Sequence, residues 1–437
     1  MSDDQGWGDL SLNWPATNVR LPELEKIGRN GIRFAEFHTE PLCGPSRACV
    51  FTGQYSMENG MWRGPGSAKP GENNYRGIKR DVVMLPELLQ KAGYVTGIFG
   101  KWHLGEHEGE RPNDRGFDEF YGFLRGSHTY KLTASTATFF HNRQQYCENA
   151  HSTDYITDKS LDFIRTQVSR DRSFFCYVSY NAVHGPLWRE DRKVPSAPKE
   201  WLDKAAARAI DFPRRDYVAI LEHMDYNIGR LMRLLKELRI EQETLVVFMS
   251  DNGALTMTGE TAGKARYPGN NGPYRGGKGT VYQGGLKVPC LMQWKGTFGR
   301  GLVSADLVMH VDLFSTILDV AGIDIPKMNG KNPVWGISLV SHIMSGCNQP
   351  LPDRTMFFEL MGRVGARRGN DKLVSGQFSS TRGRWREHVA ELKSRQMEFY
   401  DLANDVAESE NLRSSRAEAY LRLRNETVKF FDSINAE

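Results

Sequence analysis

The sequence predicts an α/β fold in which helices flank a large mixed, mostly parallel sheet, with a smaller carboxyl-terminal α+β domain. Helical apolar patterns alternate with short apolar runs along most of the chain, as expected where helices connect parallel strands. Beyond about residue 345 the apolar runs shorten and Arg, Gly and Ser become more frequent. We therefore predict two domains, 1–345 and 346–437.

The first helix and strand pairs come early in the larger domain. Residues 85–92 have the pattern of a helix that leads into a strand at 94–99. Leu161, Ile164 and Val168 lie on one face of a second helix, which precedes a strand at 174–180.

The clearest helix has one continuous apolar stripe. Its apolar residues alternate at spacings of four and three: Tyr217, Leu221, Met224, Ile228, Leu231, Leu235 and Leu238. The run at 245–249 that follows is typical of a strand buried on both faces.

Two further amphipathic helices follow. The first carries Val311, Phe314, Leu318 and Ala321 on one face and is closed by Gly322. The last helix of the chain is predicted from a capping box, Ser415 with Glu418, and an apolar face formed by Tyr420, Leu423, Phe430 and Phe431.

Composition narrows the functional classes. The 437 residues are 39% hydrophobic and 25% charged, without an apolar run long enough to cross a bilayer, which excludes a disordered or membrane-embedded chain. A net charge of +4 gives no reason to expect nucleic acid as a partner. A basic stretch could meet an anionic substrate, although a solvated loop explains it better: Arg363, Arg367, Arg368, Arg382, Arg384 and Arg386.

The six cysteines are widely spaced and include no C-x-x-C pair. Their spacing therefore indicates neither a zinc site nor a disulfide framework, and it leaves the cellular compartment open.

Polar residues follow three of the predicted strands. They are Gly100 to Gly105, then His184 with Gly185 and Pro186, then Ser250 to Gly253. Ligands of open α/β sheets bind beyond the carboxyl ends of strands, so we expect these clusters to converge. Lys101 and His103 are two residues apart, so an extended segment would point both toward one target.

Oxygen donors suggest a hard cation at the same place. Asp251 and Asn252 follow a strand, and Asp3 and Asp4 lie near the amino terminus. Such donors suit Ca²⁺ better than Zn²⁺ or Fe²⁺, and Mg²⁺ stays possible. The alternative interpretations are a solvated tail for Asp3 and Asp4 and a turn for the Asp-Asn-Gly sequence.

Residues 43–53 read C-x-P-S-R-A-x-x-x-T-G, beginning at Cys43 and including Arg47. This segment resembles the motif by which sulfatases mark one cysteine for oxidation to formylglycine. A lone cysteine is more often a buried structural thiol, but the whole motif matches here. A hydrated aldehyde carries two hydroxyls on one carbon, so one can attack sulfur and the other can later expel sulfate.

Other segments resemble the same family in the same order along the chain. They are D-D-x-G-x-G-D at 3–9, G-K-W-H-x-G at 100–105, the loop with His184, Y-R-G-G-K-G-T-V-Y-Q-G-G around Lys278, and F-Y-D-L at 399–402. The last is similar to the family's closing domain, a small antiparallel sheet with a terminal helix.

The resemblance implies a role for each matching residue. The cation would be held by Asp3, Asp4, Asp251, Asn252 and the formylglycine at Cys43. Arg47 and Lys101 would hold the hydrated aldehyde, and Lys278 would meet the sulfate. His184 would protonate the leaving alcohol, and His103 would accept the proton of the second hydroxyl.

The implied function is hydrolysis of a sulfated carbohydrate or an aryl sulfate, after transient contact with a formylglycine-generating enzyme. A phosphatase or phosphonate monoester hydrolase of the same superfamily is the nearest alternative. A non-catalytic binder of sulfated glycans is an alternative from another class. Family members lead us to expect a periplasmic or secreted protein.

One departure from the family concerns the amino terminus. Sulfatases carry an apolar strand immediately before the aspartate pair, whereas only Met1 and Ser2 precede Asp3 here. We expect the true start to lie upstream, and we expect Asp3 and Asp4 to lie on a frayed terminus as the chain stands.

Overall fold

The computed structural model of the protein describes residues 1–66, 77–133, 138–146, 148–185, 196–256, 268–375 and 392–434. Within these ranges no helix is both long enough and apolar enough to cross a membrane. The α-helices of the described ranges are α1 (Pro22–Asn30), α2 (Cys43–Thr52), α3 (Ser56–Asn59), α4 (Leu85–Lys91), α5 (Ser152–Ser169), α6 (Lys199–Ala206), α7 (Arg214–Glu237), α8 (Gln283–Leu286), α9 (Asp312–Val320), α10 (Val340–Met344) and α11 (Ala417–Ile434).

Two sheets form the centre of the part of the chain before residue 345. One has the strand order β7-β6-β4-β3-β9, and the other has the order β10-β11-β1-β12. Their strands are β1 (Ile32–Phe34), β3 (Val95–Lys101), β4 (Glu119–Phe123), β6 (Phe140–His141), β7 (Gln144–Gln145), β9 (Phe174–Ser179), β10 (Val246–Met249), β11 (Cys290–Gln293) and β12 (Leu302–Ser304).

The remaining strands form smaller sheets. Three two-stranded sheets pair β2 (Phe37–His38) with β13 (Val308–Met309), β5 (Lys131–Leu132) with β8 (Ala150–His151), and β14 (Met328–Asn329) with β15 (Asn332–Pro333). An antiparallel sheet in the carboxyl-terminal region contains β16 (Met356–Leu360), β17 (Arg363–Arg368), β18 (Asp371–Val374) and β19 (Glu398–Asp401).

Helices cover both faces of the central sheets. Successive residues of a strand point to opposite faces, and on β3 Phe99 belongs to the apolar cluster with α1, α5 and α7. Its neighbour Ile98 belongs to the cluster with α2, α4 and α9. The predicted α/β architecture is confirmed, with parallel pairs β3–β4, β3–β9 and β1–β12 beside antiparallel ones.

The first three residues join the two central sheets. The Met1 amino group donates to the Val178 carbonyl at 2.8 Å, and Ser2 pairs in parallel with Ser250. Asp3 donates its backbone N–H to the Ala182 carbonyl at 2.7 Å. The prediction of a frayed terminus is therefore wrong for these residues, because hydrogen bonds to β9, to the loop that follows it, to Met249 of β10 and to Asp251 hold them in place.

An apolar cleft of about 500 Å³ lies beyond Met1, between β9 and β10. Val246 and Val247 of β10 border it and are half-buried, whereas Phe248 and Met249 are buried. The prediction that residues 245–249 are buried on both faces is thus correct only for the end of the strand nearest the first residues of the chain.

Most of the predicted elements are present with shifted ends. Helices α4, α5, α7 and α9 and strands β3, β9 and β10 lie where the sequence predicts them, and α9 is followed by Gly322 at φ +68°. The terminal helix begins at Ala417, and the Ser415 hydroxyl donates to the Leu412 carbonyl at 3.3 Å. The Ser415 hydroxyl therefore bonds to the turn before the helix, and Ser415 lies two residues before the first helical residue. The predicted capping box is wrong. The domain boundary at residue 345 stays a prediction.

Candidate active site

The site lies where parallel strands end at one edge of the sheet. Lys101 is the last residue of β3, and the His184 loop follows β9. Asp3 and Asp4 follow the residues that join β9 to β10, and Asp251 comes directly after the Ser2–Ser250 pair. The sheet topology therefore brings together the polar clusters that the sequence predicts to converge.

Helix α2 supplies Cys43 and Arg47 from behind this edge. Cys43 is the first residue of the helix, Pro45 lies in its first turn where no N–H partner is needed, and the whole helix is buried. The helix ends at Gly53, which adopts φ +68° and donates its N–H to the Cys49 carbonyl at 2.9 Å.

Three carboxylates face three cations within the site. Arg47 donates through Nε and Nη2 to Asp251 Oδ2 at 3.1 and 2.7 Å, and both side chains are fully buried. The Lys101 Nζ lies 2.6 Å from Asp3 Oδ2 in an equally buried pair. Lys278 Nζ lies 2.6 Å from Asp4 Oδ1. Each carboxylate is thus paired, and the set of six has no net charge.

Lys278 reaches the site from a glycine-rich loop. Its backbone N–H donates to the Ala254 carbonyl at 3.1 Å, and the N–H of Gly279 donates to the Pro41 carbonyl at 2.9 Å. A Cβ at Gly277 would lie 2.4 Å from the Ala254 oxygen, so only glycine permits this close approach of the two backbones.

The two histidines border the charged cluster. His184 Nε2 lies 3.8 Å from Asp4 Oδ2, and its side chain is 22% exposed. His103 lies two residues after the end of β3 and adopts φ +59°, so the predicted extended segment from Lys101 to His103 is wrong. His103 Nδ1 is buried and has no hydrogen-bond partner in the described part of the chain.

Burial and neighbouring charges shift the pKa values in the site. Burial raises the pKa of the Cys43 thiol to about 12 despite nearby Lys101 and Lys278. Burial, and then the neighbouring Asp251, raise the pKa of Asp3. For Asp4, burial acts in the same sense, but Lys278 and other cations outweigh it and lower the pKa.

The histidines are held neutral for the same reasons. Burial and the positive charges of Lys101 and Arg47 lower the pKa of His103 well below its usual value. Burial also lowers the pKa of His184, although Asp3 and Asp4 act in the opposite direction. Both rings are therefore uncharged near neutral pH.

The donor atoms fit a hard divalent cation. Asp3, Asp4, Cys43 and His184 each have a potential ligand atom within 4.8 Å of the others. Asp3 Oδ1 and Asn252 Oδ1 are buried and have no hydrogen-bond partner among the described residues. Buried carboxylate and amide oxygens without partners are costly unless a cation or water meets them.

Sequence reasoning missed three residues that hold the site in place. The Ser179 hydroxyl accepts a hydrogen bond from Arg47 Nη1. The Tyr130 hydroxyl lies 3.0 Å from the Asn181 carbonyl, to which it donates, and 3.2 Å from the His184 carbonyl, so it holds the loop that carries His184. The Tyr217 hydroxyl bonds the Asp9 carboxylate at 2.5 Å. Ser179 could have been found from the sequence, because it lies at the end of a strand. The contacts of the two tyrosines are with residues distant in sequence, so no local pattern indicated them.

The basic stretch does not form a single anion-binding surface in its described part. Arg367 donates to Glu36 at 2.7 Å, and Arg368 pairs with Asp353 and Glu426. Arg363 donates to the Gly279 carbonyl at 3.0 Å. Arg382, Arg384 and Arg386 lie outside the described residues.

Known proteins resemble this chain along most of its length. The family model described as Sulfatase matches residues 1–323. N-acetylgalactosamine-6-sulfatase of Mus musculus is 31% identical over 376 residues, which cover 82% of this chain and 67% of that protein. Arylsulfatase G of Homo sapiens is 30% identical over 409 residues, covering 84% of this chain and 71% of that protein.

Solved structures share the fold. The structure titled "Crystal structure of Ps i-CgsB" has a TM-score of 0.83 and 25% identity, covering 99% of this chain and 91% of that chain. The same protein has been solved in complex with a neocarrahexaose, at 24% identity by that comparison. A phosphonate monoester hydrolase from Silicibacter pomeroyi has the same fold at a TM-score of 0.66 and 20% identity, covering 98% of this chain and 95% of that chain.

Proposed function

The chain belongs to the sulfatase family and is a sulfate ester hydrolase, and from this premise we propose that it acts on sulfated carbohydrates through a formylglycine at position 43 and a bound divalent cation. The observation that carries the proposal is the meeting of Cys43 with three carboxylates, three cations and two histidines at one sheet edge.

The cation would be held by Asp3, Asp4, Asp251, Asn252 and the formylglycine at position 43, with Ca²⁺ favoured by the oxygen donors and Mg²⁺ as the alternative. When bound, it would polarise and orient the sulfate ester as a Lewis acid. The paired side chains alone sum to zero charge, so a divalent ion gives the site the positive potential that an anionic ester requires.

Position 43 needs a nucleophile other than a thiol. With its pKa raised to about 12, the Cys43 thiol would stay protonated at neutral pH and would attack poorly. Oxidised to formylglycine and hydrated, the residue would offer two hydroxyls, one to attack sulfur and one whose deprotonation expels sulfate. Arg47 and Lys101 are buried beside it and would fix its orientation.

The histidines would carry the proton transfers. His103 is neutral and buried, with an unused ring nitrogen, which suits a group that accepts a proton from the second hydroxyl. His184 is partly exposed, so it lies on the side from which the alcohol part of the ester must enter. The negative charge of the sulfate would raise its pKa and allow it to protonate that alcohol.

The substrate class is inferred from relatives as well as from the site. Relatives named for N-acetylgalactosamine 6-sulfate and a similar fold solved with a carrageenan oligosaccharide both support a sulfated sugar. Lys278, whose side chain is only 11% exposed, would contact the sulfate group at the inner end of such a substrate.

A direct test measures inorganic sulfate released from N-acetylgalactosamine 6-sulfate, carrageenan oligosaccharides and nitrophenyl sulfate, with nitrophenyl phosphate for the phosphatase alternative. The enzyme is made in a host that forms formylglycine, and mass spectrometry of the peptide with residue 43 reports conversion. We expect Cys43→Ala to abolish turnover and the buried Cys290→Ala to retain it. Full turnover by Cys43→Ala, or by a mature protein with a plain thiol, would overturn the mechanism.

The role of His184 has a separate test. His184→Ala should slow hydrolysis of sugar sulfates about 10² to 10⁴-fold, the usual contribution of one general acid. Nitrophenyl sulfate should be affected much less, because nitrophenolate leaves without protonation. Equal losses on both substrates would show that His184 does not donate the proton.

A further inference from the structure

A second cluster of potential metal ligands involves α2, the helix that begins at Cys43. Glu40, Cys49 and His310 each present a ligand atom, and the three atoms all lie within 4.8 Å of one another. All three residues are fully buried. Glu40 follows β2, His310 follows β13, and Cys49 lies on α2 six residues after Cys43.

The ring of His310 is the decisive feature of this cluster. Both of its nitrogens are buried and have no hydrogen-bond partner among the described residues. A neutral imidazole always has one N–H to donate and one lone pair to fill, so two unused nitrogens in a dry interior are costly. Glu40 Oε2 is buried without a partner in the same way.

We propose that Glu40, Cys49 and His310 bind a Zn²⁺ ion. Imidazole nitrogen, thiolate sulfur and carboxylate oxygen are the ligands that Zn²⁺ takes in proteins, whereas Ca²⁺ and Mg²⁺ require oxygen. Tetrahedral zinc would place these N, O and S ligand atoms roughly 3.3 to 3.6 Å apart, so a pair at the 4.8 Å limit would have to approach by about 1.2 to 1.5 Å. Three protein ligands leave the fourth tetrahedral position to another donor.

Charge also favours a divalent ion here. One thiolate and one carboxylate would neutralise Zn²⁺, which leaves a buried site without net charge. His310 is fully buried, and a neutral imidazole offers the lone pair that a metal needs.

Two side chains of α3 orient the proposed ligands. The Ser56 hydroxyl donates to Glu40 Oε1 at 3.0 Å, and Asn59 Nδ2 lies 4.0 Å from the Cys49 sulfur as a donor. Groups that orient metal ligands in this way commonly change metal affinity about 10 to 100-fold. The ion would thereby tie α2, which carries the nucleophile, to α3 and to the β2–β13 pair.

Cobalt substitution tests the proposal without relying on activity. Cys43 lies near other donors in the first site, so the full-length Cys43→Ala protein is used, stripped by chelator and titrated with Co²⁺ and Zn²⁺. We expect a thiolate-to-cobalt absorption band, displaced by zinc, and about one zinc ion per chain by elemental analysis. Absence of the thiolate band in this folded protein would overturn the proposal, even if zinc binds at the first site.

Variants locate the site. Cys49→Ala and His310→Gln added to Cys43→Ala should remove the band and the zinc, while Cys290→Ala, another buried cysteine outside the cluster, should keep both. If the first two fail to fold, Ser56→Ala provides the milder test, with about a 10 to 100-fold loss of zinc affinity expected. Unchanged cobalt spectra in folded Cys49→Ala, or unchanged zinc affinity in Ser56→Ala, would show that the ion binds elsewhere.

Discussion

At the scale of single residues, the site is held in place by buried ion pairs that exist before any substrate enters. Arg47 with Asp251 and Lys101 with Asp3 are completely buried, and Asp4 adopts φ +62°, a conformation that non-glycine residues seldom take. Such pairs add little net stability, but they fix charged groups where a transition state needs them.

Removing the cation should separate activity from folding. Because Arg47, Lys101 and Lys278 already neutralise the carboxylates, chelation should abolish sulfate release and leave a folded protein with a lower Tm. Adding Ca²⁺ at 100 times its Kd should restore about 2.7 kcal/mol of stability.

Thermal unfolding with added Ca²⁺ or Mg²⁺ measures this effect. Asn252→Ala, which removes a proposed ligand oxygen, should reduce the gain in Tm, while the exposed Asn348→Ala should not. If neither the Tm nor the rate of sulfate release changes when Ca²⁺ or Mg²⁺ is added, the proposal of a cation at this site is wrong.

His38 makes a prediction about acid stability. Burial and the nearby Arg367 lower its pKa to about 3, while the unfolded value is about 6.5. Between these two pKa values the His38 ring binds a proton in the unfolded chain but not in the folded protein. The free energy of unfolding therefore decreases as the pH falls below about 6.5. At pH 5 this ring alone should cost about 2 kcal/mol.

Urea unfolding of the wild type and His38→Gln at pH 7 and pH 5 tests this value. The variant should lose less stability over the interval, since its amide does not titrate. Equal losses would mean that His38 is protonated in the folded protein.

At the scale of elements, backbone contacts between strands set the position of the sheet edge that carries the candidate site. Gly100 has φ +110°, and a Cβ there would lie 1.9 Å from the Ser179 oxygen of β9. This close contact immediately precedes Lys101, so the end of β3 cannot move without moving the site.

Gly100→Ala should therefore destabilise the protein more than a glycine substitution with the same backbone strain alone. Gly93 is a matched control, with φ +93° and no atom within 4 Å of a Cβ. We expect Gly93→Ala to lose about 1 to 2 kcal/mol and Gly100→Ala at least about twice as much. Equal free energies of unfolding for Gly93→Ala and Gly100→Ala would show that β9 can move away from the new Cβ.

At the scale of the whole molecule, the carboxyl-terminal region shares an apolar cluster with the larger part of the chain. Phe430 of α11 stacks on Phe357 of β16 at 3.9 Å between ring centroids, and both approach Tyr55, which precedes α3. The cluster also includes Cys49 of α2. The two predicted domains are thus in contact through a shared apolar cluster.

Phe430→Ala should cost about 3 to 5 kcal/mol and should lower the stability of the entire protein in one transition. Leu421 lies on the same helix but is 50% exposed, so Leu421→Ala should change stability by less than about 1 kcal/mol. Calorimetry that resolved an early, separate transition in Phe430→Ala would indicate that the carboxyl-terminal region unfolds alone.

The sequence alone determined the family and the α/β class, and it predicted the residues of the candidate site. Each of these depends on patterns short enough to read along the chain, such as the eleven residues from Cys43 to Gly53 or the apolar stripe of α7. A local pattern reports local structure well because neighbours in sequence remain neighbours in space.

Only the tertiary structure decided where distant residues meet. It placed residues 1–3 between β9 and β10, turned His103 into the site through a positive φ, and gave Arg367 and Arg368 structural partners. It also gathered Glu40, Cys49 and His310, whose spacing has no metal-binding pattern. His310 lies 261 residues after Cys49 in the sequence. Residues so far apart meet only because strands are ordered in a particular way in the sheets, and that order follows from the packing of the whole chain rather than from any one segment.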